Sequence, residues 1–318
     1  MPGVGTARGL PAACRRQESL APLTHCRIGG VAAVFCEARS EDDVLAAVAH
    51  RLSARLADED VFVLGGGANV LINDERSYGL VLKLSEHFNA ITVDERGRTA
   101  RIEAGIYTPR LVREAARRGW DGYQFLAGVP GSLGGAVVMN AGVKELSTWD
   151  RVEAIEGITW QGEQRRFSRA ELIPGYRRGN VPADLIVTAA ICTLPAGDPE
   201  AIRLKARDLS AARRETQPLR YPSWGSTFRN PSGESSTGET AGALIERVGL
   251  KGHRVGDAEI SQVHANFIVN RGAATASDAL ACLRRAYEAV RDDFGVRLEP
   301  EVRLIGFPPQ DLAFLGVR

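Results

Sequence analysis

A glycine-dense, nearly uncharged stretch, AGVPGSLGGAVVMNAG over residues 127–142, constrains this chain more than any other segment. Its glycines at 128, 131, 134, 135 and 142 sit with Pro130 among apolar neighbours, not among the polar residues of a solvent loop. Such a backbone turns tightly and lies close against something, and its bare N–H groups suit an anion, above all a phosphate. A second loop precedes it: in VFVLGGGANVLI, residues 61–72, a short apolar strand runs straight into Gly65-Gly66-Gly67-Ala68-Asn69. Two such loops in one chain point to a large phosphate-bearing cofactor held at several places. Neither is a dinucleotide fingerprint: GxGxxG from Gly65 fails at Val70, and from Gly128 it fails at Pro130. No GxxxxGK[ST] loop is present either. Taken singly, each loop reads equally as tight turns in a β-rich domain.

The rest of the composition narrows the class. At 318 residues the chain buries a sizeable core and divides into two or three domains. A formal net charge of +1, with 25% charged residues, gives no reason to expect nucleic acid or an anionic membrane as partner. No apolar run reaches membrane-spanning length. Residues 1–20 lack a continuous apolar core of signal-peptide length and read as a loose extension of a cytoplasmic protein. Cys14, Cys26, Cys36, Cys192 and Cys282 are scattered, odd in number and never in a CxxC pair. Buried or incidental thiols are expected, with no metal site and no disulfide framework.

Short β-rich runs alternate with helices. Ser40 and three acidic residues open a helix whose apolar face is Val44, Leu45, Val48, Leu52 and Leu56. Strands follow at 61–64 and 80–84, then a hairpin of 90–94 and 100–104 through residues 95–98. Thr108-Pro109 starts a helix that Gly119 ends. Further β-runs lie near 152–160 and 185–193. An Arg-rich helical segment over 196–221 ends in the breaker QPLRYP, which places a domain boundary near 200. Beyond it come a helix at 240–248, a strand at 266–269, a helix at 277–294 opened by Thr275 and Asp278, and a last strand near 297–305. The run 232–240 reads as an exposed loop.

Several constellations could carry chemistry. In WGSTFRNP, residues 224–231, Ser226 could be a positioned proton donor beside an anion site, or simply a turn residue; no neighbouring base makes it a nucleophile. In YRRG, residues 176–179, Arg177 could hold a carboxylate or phosphate through paired hydrogen bonds, or be an exposed arginine. His264, at the start of a strand, is a ligand contact or a structural histidine. In EPEVR, residues 299–303, alternation sends Glu301 and Arg303 to one face, as a site pair or a surface pair.

Together and in this order, these segments resemble one family, the UDP-N-acetylenolpyruvoylglucosamine reductases. The resemblance runs from RIGG at 27–30 through GGGAN at 65–69, AGVPGSLGGAVVMNAG at 127–142, YR at 176–177 and GSTFRNP at 225–231, then AGALIERVGLKG at 241–252, SQVHANFIVN at 261–270 and LEPEVRLIG at 298–306. The short segment between YR and residue 200 is similar to the compact form of the family, without an extra tyrosine-bearing loop. The resemblance implies an α+β protein: an FAD-binding domain of the PCMH/vanillyl-alcohol-oxidase type over 21–200, made of two subdomains, followed by an α/β substrate-binding domain over 201–318. It implies FAD held by Gly65, Gly66, Gly67, Ala68, Asn69, Gly128, Gly131, Gly134, Gly135 and Asn140.

The implied reaction has two halves. NADPH reduces the flavin and leaves; the enolpyruvyl ether of UDP-N-acetylglucosamine then receives the hydride at C3 and a proton at C2. The family pattern assigns Arg177 and Glu301 to the substrate carboxylate and Ser226 to the proton, with Tyr176, Arg229, Asn230 and His264 binding the UDP-sugar. A monomer is expected. Gly179 stands where the family often has Ser, Trp224 where a small residue is common, and 232–240 is an insertion. The rival readings are a flavin-dependent alcohol or sugar oxidase sharing the first domain, and a non-catalytic relative that binds a nucleotide-sugar.

Overall fold

Apolar alternation in the first ninety residues builds a four-stranded sheet. A computed structural model of the chain describes residues 10–94, 96, 98–143, 146–232 and 238–316. The first sheet uses β1 (Cys14–Ser19), β2 (Val31–Ala38), β3 (Val61–Val63) and, after a short β4 (Val70–Ile72) that pairs elsewhere, β5 (Ser77–Leu84). Its order is β1-β2-β5-β3, with β1 antiparallel to β2 and the other pairs parallel. Between β2 and β3 runs α1 (Glu41–Ala54), capped by the Ser40 side chain accepting from Asp43 N–H and closed by left-handed Arg55. Its Val44, Ala47 and Val48 pack on Val34, Leu80 and Leu82.

The second sheet is antiparallel: β6 (Ile91–Asp94), β7 (Thr99–Glu103), β10 (Val152–Thr159), β11 (Gln164–Ser168) and β12 (Leu185–Thr193), in the order β11-β10-β12-β7-β6. The small β8 (Gly142–Val143) and β9 (Leu146–Ser147) pair with each other. Helices α2 (Thr108–Arg118) and α3 (Leu133–Met139) cover this sheet, with Trp149, Phe125, Leu111 and Val137 in the core between them. A short α4 (Arg169–Leu172) follows β11, and α5 (Pro199–Thr216) lies against α2 and the 3-10 turn Gln124–Leu126. Although α5 begins at the expected boundary near 200, its Ala206 and Leu209 pack on the core of the second sheet.

The third sheet, β13 (Ser223–Ser226), β14 (Arg254–Val255), β15 (Ala258–Ile260) and β16 (Phe267–Asn270), has the order β13-β16-β15-β14. With α6 (Ala241–Arg247) and α7 (Ala276–Phe294) it encloses Trp224, Phe228, Leu244, Ile268, Leu283 and Val290. The chain then returns: β17 (Arg303–Ile305) pairs in parallel with β4, ahead of a terminal α8 (Pro309–Leu312). This return brings the last part of the chain onto the strand that leaves the first glycine loop.

Most expected elements form within a few residues of their predicted bounds, and the differences have physical causes. Residues 14–19, expected in a loose extension over 1–20, form the edge strand β1; residues 1–9 lie outside the described residues. Cys14 and Cys36 stand opposite each other in the β1–β2 ladder and are joined as a disulfide. This corrects the expectation of isolated thiols, because linear spacing does not show that the two strands pair. Cys26, Cys192 and Cys282 are free and buried. The last strand is shorter than 297–305; only Arg303–Ile305 is regular, so alternation does not set the direction of Glu301. Within the expected hairpin turn residues 95 and 97, and within the 232–240 loop residues 233–237, lie outside the described residues. Among the described residues no helix is long and apolar enough to cross a membrane.

Leu283, on the inward face of α7, is fully buried in the third core. A Leu283→Ala substitution removes buried methyl groups and leaves a cavity, and it should cost about 2–5 kcal/mol. Urea unfolding monitored by tryptophan fluorescence checks this through the midpoint at unchanged slope.

Candidate active site

The two glycine loops meet. A Cβ on Gly66 would overlap Gly131, and one on Gly67, which is left-handed at φ 68°, would overlap the Leu23 carbonyl. Only glycine allows so close an approach. Among the described residues no backbone or side-chain acceptor takes the N–H groups of Gly65, Gly66, Gly67, Ala68 or Gly131. Gly65, Gly66 and Ser132 line a cavity of about 480 Å³ together with Arg15, Arg39 and Lys83 and the carboxylates Glu37 and Glu86. Unpartnered donors beside cations fit a diphosphate. The rest of the glycine-dense stretch is largely occupied by the protein itself. Gly134 N–H donates to the Ala104 carbonyl (2.8 Å), Ser132 caps α3, and Asn140, left-handed at its end, donates to the Gly175 carbonyl (2.8 Å) and accepts from Trp149 N–H (3.1 Å). Asn140 therefore holds the YR loop against this stretch.

Ser226, Glu301 and Arg177 come together from three parts of the chain. β13 ends at Ser226 opposite Phe267, after a register shift and a left-handed Gly225. The next residue, buried Thr227, donates its N–H to the Asn266 carbonyl (2.7 Å), and its carbonyl accepts the N–H of Glu301 (2.8 Å). Trp224 Nε1, 3.3 Å from Thr227 Oγ1, donates to it and braces the turn. Arg177, itself left-handed at φ 55°, sets its Nε 3.1 Å from Glu301 Oε1. Both side chains are mostly withdrawn from water, at 20% and 18% exposure. The Arg177 guanidinium lies 5.1 Å from the ring centre of exposed Tyr176.

Positive charge is in excess here. Arg229 Nη2 reaches the Arg177 carbonyl (3.4 Å), and its Nη1 pairs with Glu299 (3.1 Å), which also takes Arg178 (3.1 Å). Arg213, from α5, runs past Gly128, where a Cβ would lie 3.1 Å from its Cδ. Burial pushes the Arg213 pKa down, and the like charge of Arg177 adds to the shift. Burial raises the Glu301 pKa, with Arg177 and Arg229 opposing. Arg177 and Arg229 act on the half-buried Glu301 carboxyl and Arg213 acts on Arg177, so the cluster carries positive charge that favours an added anion.

The remaining expected residues divide. Asn230 Oδ1 accepts the N–H of Ala241 at the start of α6, a structural contact. His264 accepts Asn266 N–H on Nδ1 (3.2 Å), which puts the proton of the neutral ring on Nε2, and burial followed by Lys251 lowers its pKa. Arg229 lies beside the trio, engaged with Glu299 and the YR loop. Reading the sequence missed Arg213, Thr227 and Glu299. Arg213 had a signal, the arginine pair just before the QPLRYP breaker; Thr227 and Glu299 act through backbone and cross-chain contacts that no local pattern carries. Gly179, in place of the family's serine, is explained by packing: a Cβ there would overlap the Val137 carbonyl.

The raised carboxyl of Glu301 has a consequence for stability. A group whose folded pKa lies above its unfolded value contributes stability that is present below the ordinary value of 4.5 and is lost as pH rises through the folded pKa. Glu301→Gln removes that dependence. Relative to the parent chain, the variant should therefore gain stability as pH rises from below 4.5 towards neutrality, as read from urea midpoints across the range. A parallel pH dependence of the two proteins would contradict it.

The chain is similar to known proteins along most of its length. Residues 217–305 match the family model described as the UDP-N-acetylenolpyruvoylglucosamine reductase C-terminal domain, and residues 32–168 match that of an FAD binding domain. The UDP-N-acetylenolpyruvoylglucosamine reductase of Anaeromyxobacter dehalogenans strain 2CP-C is 43% identical over 301 residues, covering 94% of this chain and 88% of that one. UDP-N-acetylenolpyruvoylglucosamine reductase 2 of Symbiobacterium thermophilum is 41% identical, covering 94% and 96%. The crystal structure of the reductase from Thermus caldophilus superposes with a TM-score of 0.76 at 35% identity, over 92% of this chain and 99% of that one. With this identity over nearly its whole length, the chain belongs to the UDP-N-acetylenolpyruvoylglucosamine reductase family.

Proposed function

We infer that this chain reduces the enolpyruvyl ether of UDP-N-acetylglucosamine to UDP-N-acetylmuramate, a step of peptidoglycan precursor synthesis, with NADPH as reductant. The observation that carries the reading is the pairing of Arg177 with Glu301 directly beside the Ser226 strand. FAD, when bound, supplies a two-electron carrier that takes hydride from NADPH and delivers it to C3 of the substrate. The unpartnered amides of the 65–68 loop and Gly131 would hold its diphosphate.

The chain's own residues deal with the charge that this transfer creates. Hydride addition at C3 leaves an electron pair at C2, delocalised into the adjoining carboxylate as an enolate. Arg177 is a fixed cation aimed where that charge grows, held in place by the packing of its left-handed loop. An ionised Glu301 would repel the enolate. That repulsion is limited because Glu301 is engaged with Arg177, its Oε1 lying 3.1 Å from Arg177 Nε, where it orients the guanidinium; burial, opposed by Arg177 and Arg229, pushes its pKa up. Ser226 then gives the proton to C2; a hydroxyl is a weak acid, and it serves here because the enolate is strongly basic and the donor is pre-placed. Arg213 adds a further cation to the anion-binding pocket, and Arg229, His264 and exposed Tyr176 are the residues we assign to the UDP-sugar.

All these groups come from one chain, which supports a monomer, checked by sedimentation. NADPH and a nucleotide-sugar as substrates support a cytoplasmic enzyme. The cofactor part spans residues 21–200 and the substrate part 201–318, with α5 as the joint between them.

Ser226→Ala separates the two halves of the reaction. Anaerobic stopped-flow at the flavin absorbance should show bleaching by NADPH unchanged, while reoxidation by the enolpyruvyl substrate slows by roughly 10²–10⁴-fold. Slow bleaching, or normal reoxidation, would overturn the role of Ser226. Glu301→Gln with undiminished turnover would likewise remove Glu301 from the mechanism.

A further inference from the structure

The segment that carries Glu301 has little regular structure of its own. Residues 297–302 precede the short β17, and Pro300 has no N–H to donate. Yet the Glu301 peptide is held on both sides. Its N–H donates to the carbonyl of Thr227, the neighbour of Ser226 (2.8 Å). Its carbonyl accepts from Asn69 Nδ2 (3.0 Å). Asn69 closes the GGGAN loop, and its own carbonyl accepts Arg303 N–H (3.1 Å), just where β17 pairs with β4 through Arg303 and Val70.

The residue at the end of the phosphate-binding loop thus grips the backbone of the acidic residue that faces Arg177. We propose that Asn69 is a positioning residue for the proton-delivery half of the reaction: its side-chain amide makes the cofactor loop and the Glu301–Arg177 pair one rigid unit. The inference rests on the reductase reading above and adds a role for a side chain whose backbone alone would serve the cofactor. Whatever orders the 65–69 loop also fixes Glu301, so cofactor binding and assembly of the substrate carboxylate site are coupled. A misplacement of about 1 Å at a reacting group costs on the order of 10²-fold in rate, which sets the expected size of the effect.

The test compares Asn69→Asp and Asn69→Ala with the parent holoenzyme. Asn69→Asp keeps the size but turns an acceptor towards the Glu301 carbonyl at neutral pH; protonation at acid pH restores a donor. Three quantities are read: flavin affinity by fluorescence titration of the apoprotein, the rate of bleaching by NADPH, and the rate of reoxidation by the enolpyruvyl substrate across pH. The expected result is that, in both variants at neutral pH, reoxidation slows about 10²-fold more than flavin binding or bleaching weakens. Reoxidation in Asn69→Asp, and not in Asn69→Ala, should recover as pH falls. Parent-like reoxidation overturns the proposal. So does parallel loss of both half-reactions or of flavin, which would make Asn69 a plain structural or cofactor-binding residue. Failure of the parent enzyme itself to be reoxidised would instead overturn the reductase reading.

Discussion

The ion pair between Arg177 and Glu301 is the contact on which the site depends. Its two members come from the YR loop beside the second sheet and from the segment that follows the third core, so it forms only when both units are folded and docked. Everything nearby serves that meeting. Asn140 holds the YR loop from behind, Thr227 and Asn69 hold the Glu301 backbone, and Glu299 bridges Arg178 and Arg229 at the rim. The rim contacts contribute little energy because Glu299 is exposed and exposed pairs are worth about 0–1 kcal/mol; they set position. The backbone hydrogen bonds to Glu301 are more sheltered and set it more firmly.

The site also shows strain against stability that function explains. A buried carboxyl with a raised pKa and a cluster of guanidinium groups with too few counter-charges both oppose folding. An anion bound there would offset the excess charge of the guanidinium groups. The same imbalance would stabilise the enolate, which carries one negative charge more than the substrate's carboxylate alone, and that is the differential binding that catalysis needs. Left-handed Arg177, a non-glycine residue at φ 55°, adds backbone strain at the same place.

Much of this was legible in the sequence, for definite reasons. The glycine loops announced themselves because close backbone approach admits no other residue, and Gly66 against Gly131 bears this out. Helices α1, α2 and α7 carried their caps and their apolar faces in local order. What stayed hidden depends on contacts between distant segments. The β1 edge strand and its Cys14–Cys36 bond require knowledge of strand pairing. The return of β17 to β4 is parallel and spans most of the chain. Arg213 looked like one more charge on an exposed helix, and only packing shows it entering the site. Asn230 Oδ1 accepts the N–H of Ala241 at the start of α6, a contact that its place in the motif does not reveal.

The central claim is that one chain carries hydride from NADPH to C3 and delivers a solvent-derived proton to C2 at a single assembled site. The most direct measurement is a single anaerobic turnover in D₂O with flavin-loaded protein, NADPH and the enolpyruvyl ether of UDP-N-acetylglucosamine, with the product read by NMR. The account predicts stoichiometric bleaching and recovery of the flavin, conversion of the C3 methylene to a methyl group, and solvent deuterium at C2 in one configuration. Bleaching that only oxygen reverses, with the ether unchanged, would contradict it and leave a flavoprotein with another substrate.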